Sequence, residues 1–142
     1  MKRLLIISTL FFIGCANQYE DAEVTHEYDH ILELFNSDLK ELGLRQYDFS
    51  NTTMIKTKML NGINGICDNR RKVDSLPIYI YINKNNLPYG EITTSLIYHE
   101  LGHCLLGLKH SSYGFMTNPM TVYKITKDER LFYLKKMIVD SI

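Results

Sequence analysis

Hydrophobic positions along this chain run together, recur every three to four residues, or alternate, and each change of period marks a different predicted element. Leu4 to Ile13 is mainly apolar, sits behind Lys2 and Arg3, and is too short to span a bilayer comfortably. The stretch 16–24 is polar and acidic and reads as a tether. From Thr25 to Leu42, the residues Tyr28, Ile31, Leu32, Phe35, Leu39 and Leu42 recur at helical spacing and Gly43 follows as a stop, so an amphipathic helix is expected. Thr52 to Leu60 is rich in Thr, Ile, Met and Leu, and Asn61-Gly62 is a turn signal before Ile63 to Cys67; a hairpin is the natural reading. Asp68 to Ser75 carries adjacent cations and reads as an exposed loop.

Ile78-Tyr79-Ile80-Tyr81-Ile82 alternates with a period of two, which predicts a strand with its isoleucines toward the core and its tyrosines on the other face. The turn-rich stretch 83–90 follows, then a second helix from about Glu91 to Leu106 that stops at Gly107. Ser111 to Pro119 is a loop by composition. Thr126-Lys127-Asp128-Glu129 is a capping box opening a last helix, with Leu131, Leu134, Met137 and Ile138 available to the core. The expected class is α+β: a single domain with a short twisted sheet, an N-terminal helix, a central helix and a C-terminal helix.

Composition narrows this picture without redirecting it. At 142 residues with 45% hydrophobic content, one core is expected. Sixteen basic and sixteen acidic groups cancel, so overall charge recommends neither nucleic acid nor an anionic membrane as partner. The start of the chain, ending in Phe12-Ile13-Gly14-Cys15, resembles a bacterial lipoprotein signal. That resemblance implies removal of residues 1–14, lipid on Cys15, a lipidated N-terminus and tether over 15–24, a folded domain over 25–142, and a place in the cell envelope, held to a bacterial membrane. With Cys15 assigned to lipid, Cys67 and Cys104 remain as a pair in an oxidising compartment, where a disulfide is the expectation. Cys67 as a latency thiolate on a metal is the alternative.

The central helix carries His99-Glu100-Leu101-Gly102-His103. Two histidines four residues apart lie within about 40° on a helical wheel, and a glutamate beside them can act on whatever the imidazoles hold. Ile97, Tyr98, Leu101, Cys104 and Leu105 fill most of the rest of the wheel, so this His/Glu face should line a cleft in a buried helix. His26-Glu27-Tyr28-Asp29-His30 has the same five-residue pattern, but its histidines fall opposite the apolar stripe of the first helix, facing water. Burial therefore selects the second copy as the candidate zinc site, with Glu100 as general base.

Extended through Cys104-Leu105-Leu106-Gly107-Leu108-Lys109-His110, the motif resembles that of the metzincin zinc metallopeptidases, H-E-x-x-H-x-x-G-x-x-H, stretched by one residue before Gly107. The resemblance implies a zincin fold, one catalytic Zn2+ on His99, His103 and His110, Glu100 as the base, and Met116 in a methionine turn beneath the metal. It further implies a peptide or protein substrate laid in extended form along an edge strand at 78–82, and hydrolysis by a metal-bound water in a monomeric enzyme. Glu129 is the substitute third ligand, although its capping role already explains it. Tyr113 and Tyr123 could approach the metal but read more simply as surface tyrosines. Two other classes share these features: a zinc amidase acting on cell-wall peptides or their cross-links, and a non-enzymatic envelope lipoprotein serving as a binding module. An intact Glu100 speaks against the second.

Overall fold

The computed structural model describes residues 20–59, 63–68, 77–85, 91–111, 114–117 and 125–139. The signal segment, Cys15, the Asn61-Gly62 turn, most of the 68–75 loop, Tyr113 and Tyr123 lie outside the described residues. The protein is a small α+β domain. Its elements run β1 (Glu20–Thr25), α1 (Asp29–Glu41), β2 (Thr52–Lys58), β3 (Gly65–Asp68), β4 (Ile78–Asn83), α2 (Glu91–Leu106), a short 3-10 turn (Gly114–Met116) and α3 (Lys127–Val139).

The four strands form one mixed sheet in the order β1-β2-β4-β3, with β2 and β4 parallel and the other two pairs antiparallel. The alternation in β4 is realised as expected. Ile78, Ile80 and Ile82 are buried, and Tyr79 and Tyr81 are half-buried on the opposite face. The inward isoleucines meet Met54 from β2, Ile31, Phe35 and Leu39 from α1, Leu96, Ile97 and Leu101 from α2, and Leu134 and Met137 from α3, in one core. No helix among the described residues is long and apolar enough to cross a membrane.

Three expectations are corrected. Residues 20–24, read as tether, form edge strand β1, which bonds to β2 through pairs such as Glu23 opposite Lys56. Its outward side chains are charged because they face water and basic neighbours, so the strand has no apolar alternation to detect. The β2–β3 hairpin does not form, because β4 lies between the two strands and pairs with both. The most apolar strand takes an inner position, where a neighbour on each side shields it, and a local turn signal cannot specify that choice. For the same reason 78–82 is not a sheet edge. The edge beside α2 is β3.

Helix α1 starts at Asp29, later than expected, so His26 and Glu27 precede it. His26 bonds to Asp29 and both are exposed, while His30 Nδ1 donates to the Glu27 carbonyl. The first copy of the five-residue pattern thus faces solvent, and its histidines engage local partners.

Candidate metal centre

Helix α2 supplies two imidazoles from successive turns. His99 is buried, with 7% of its surface exposed, and His103 is half-buried. Gly107, at φ +64°, ends the helix in the left-handed region that glycine tolerates, with its N–H bonded to the His103 carbonyl. Leu108 N–H then bonds back to the Gly102 carbonyl, and the chain turns so that His110 returns over the other two rings. The extra residue before Gly107 is absorbed because α2 continues to Leu106 before the turn.

Each helical ligand is oriented from behind. The His99 Nδ1 bonds to the Phe115 carbonyl and the His103 Nδ1 to the Leu108 carbonyl at 2.6 Å. A carbonyl oxygen only accepts, so both Nδ1 atoms carry the proton and both Nε2 atoms present lone pairs. Those Nε2 atoms lie 3.0 Å apart, and His110 Nε2 is 3.3 Å from that of His99. Two neutral imidazole lone pairs at that distance repel each other unless a cation or proton sits between them. Three nitrogens around a tetrahedral ion at roughly 2.0–2.1 Å would be separated by about 3.3 Å, so the donor set fits such an ion. The three histidines could therefore hold a metal.

Burial is the main reason that the His99 pKa falls to about 4, with the neighbouring imidazoles adding to it and the Phe115 carbonyl opposing. Burial likewise pushes Glu100, 3% exposed, up to about 7, while the backbone N–H of Cys67 pulls it back. The two groups are thus shifted in opposite directions, toward a neutral imidazole at His99 and a carboxyl at Glu100 that changes charge near neutrality.

No protein-family model, curated protein or solved structure matches the chain. The site's meaning therefore rests on its own residues.

Met116, in the 3-10 turn, lies beneath α2: a Cβ on Gly102 would fall 2.5 Å from the Met116 sulfur and 2.9 Å from that of Met137. Gly102 is what lets this methionine approach the helix between the two ligands. Cys67 and Cys104 form a disulfide, with Cα atoms 5.9 Å apart, which excludes Cys67 as a thiolate ligand. Glu129 accepts bonds from the Thr126 N–H and hydroxyl, both at 2.8 Å, and is exposed outside the histidine cluster. It is a cap and not a ligand.

Sequence reasoning passed over one supporting feature. Asp38, 2% exposed, accepts a hydrogen bond from the Tyr98 hydroxyl at 2.7 Å and a bidentate pair from Arg130. This ties α1, α2 and α3 together immediately beside the first ligand. The signal was available, because Asp38 falls within the Ile31/Phe35 stripe of α1, where a charge requires a buried partner.

Proposed function

We propose that the protein is a zinc metallopeptidase of metzincin-like fold, with His99, His103 and His110 as ligands and Glu100 as general base. The observation that carries this reading is the convergence of the His99, His103 and His110 Nε2 atoms, with the buried Glu100 next to His99 in the chain. When bound, zinc supplies Lewis acidity and lowers the pKa of its water to about 7. The chain's own part is to keep the imidazoles neutral and aimed, through the Phe115 and Leu108 carbonyls, and to hold Glu100 where it can take a proton from the attacking water and pass it to the leaving amine. In the metal-free protein burial raises the proton affinity of Glu100, the property a proton-accepting carboxylate needs.

An extended substrate would pair with β3, the edge beside α2. Asn64 accepts from the Asn83 N–H, so the antiparallel register turns the Gly65 peptide group toward the open side, on which the Cys67 N–H meets Glu100. The anchor belongs to the same proposal. Lipid on Cys15, five residues before β1 begins, would hold the domain at the envelope membrane.

The test is metal analysis with peptide hydrolysis. The wild type is expected to bind one zinc and cleave unstructured peptides, Glu100→Ala to keep the zinc and lose at least about a hundredfold in kcat, and His110→Ala to lose most of its zinc affinity. Zinc well below one equivalent after reconstitution, or full activity in Glu100→Ala, would remove the mechanism. Metabolic labelling with palmitate, lost in Cys15→Ala, tests the anchor.

A further inference from the structure

Helix α2 carries two functional stripes, and different parts of the chain support them. His99 and His103 share one line and are held by carbonyls of the 108–116 segment. Leu96, Glu100 and Cys104 follow one another at four-residue intervals about 80° further round the wheel, and they meet β3. A Cβ on Gly65 would fall 2.7 Å from Glu100 Oε1 and 3.0 Å from a Leu96 methyl. Two residues along the strand, Cys67 turns its N–H to the Glu100 carboxyl and joins Cys104 through the disulfide. Strand β3 has four residues and, among the described residues, pairs with β4 alone, and the bridge is its covalent hold on α2.

We propose that the Cys67–Cys104 disulfide and the side-chain-free position at Gly65 act as a positioning device for Glu100. They clamp β3 against the Leu96–Glu100–Cys104 line so that the carboxyl is held at the sheet edge, independently of the metal ligands. This rests on the peptidase reading for its catalytic consequence, but not for its geometry. Placement of the base and placement of the imidazoles draw on different parts of the chain: the Phe115 and Leu108 carbonyls orient His99 and His103, whereas Glu100 meets Gly65 and Cys67 of β3. Opening the bridge frees the carboxyl while leaving the three imidazoles together. Adding a methyl at Gly65 pushes the carboxyl away with the bridge intact.

Two variants of the full domain test this: Gly65→Ala, and the double variant Cys67→Ala/Cys104→Ala, which leaves no thiol to compete for metal. Three quantities are read: zinc affinity by chelator competition, the 13C resonance of the Glu100 carboxyl in metal-free protein assigned with Glu100→Gln, and the split between kcat and KM. Both variants are expected to shift the resonance and to keep zinc affinity within about threefold. They are expected to lose roughly tenfold or more in kcat with KM little changed, as when a general base is displaced. If the double variant does not fold, Gly65→Ala decides alone. An unmoved carboxyl resonance, or a loss of zinc that accompanies its movement, overturns the proposal. A shifted resonance with zinc retained, in a protein whose wild type hydrolyses nothing, supports the device and counts against the peptidase reading alone.

Discussion

His99 and Glu100 are neighbours in the chain, yet burial moves them in opposite directions, and this has a consequence for stability. In the metal-free protein His99 stays neutral down to about pH 4, whereas the unfolded chain protonates it near 6.5. Its contribution is complete above 6.5 and is lost as pH falls through 4. Glu100 keeps its proton up to about 7, against 4.5 when unfolded, so its contribution is present below 4.5 and is lost as pH rises through 7. Over the shared window the two slopes oppose each other. Metal-free Glu100→Gln should therefore gain thermal stability as pH rises from about 4.5 to 6.5, while the wild type changes less. Melting curves in chelator check this, and equal profiles would refute it. At Gly102 the constraint is steric. Gly102→Ala drives a methyl into Met116 and Met137 and should cost about 1–3 kcal/mol in denaturant unfolding. The pattern of His99, Glu100 and His103 was legible from spacing alone, because it is local to one helix, whereas His110 joins it only through the turn after Gly107. The closeness of Met116 to Gly102 was not, since it joins segments that no periodicity relates.

Among the elements, the helices were the most legible, because their apolar stripes and stop signals at Gly43 and Gly107 act within one segment. The sheet was less so. Its strands could be recognised, but not their neighbours, and β4 came to separate β2 from β3 because a parallel partner is chosen by burial and not by a turn. The three helices are joined at Asp38, where Arg130 and Tyr98 converge. Truncation at Asp38 takes the carboxylate partner from the half-buried Arg130 guanidinium and from the Tyr98 hydroxyl, so Asp38→Ala should destabilise the domain by about 2–4 kcal/mol. A double-mutant cycle with Arg130→Met, in which the pair is removed together, should recover much of that loss. Additive effects in the cycle would show that the pair does not act as a unit.

For the molecule as a whole, the disulfide closes a long loop between strand and helix, its cysteines lying 37 positions apart in the chain. Its removal should lower stability by about 2–4 kcal/mol, read as an earlier denaturant midpoint for Cys67→Ala/Cys104→Ala. The pairing was expected from the count of cysteines once the start of the chain is read as an export signal; its place beside Glu100 was not. The sequence by itself determined the helices, the strand that alternates, the three histidines and the glutamate, because each depends on spacing within a short segment. Only the tertiary structure decided that the polar start of the domain is a strand, that β3 forms the edge facing the site, and that Asp38 is buried with Arg130. These are contacts between segments far apart in the chain. Burial and pairing select them only after the elements have come together, so no local pattern records them.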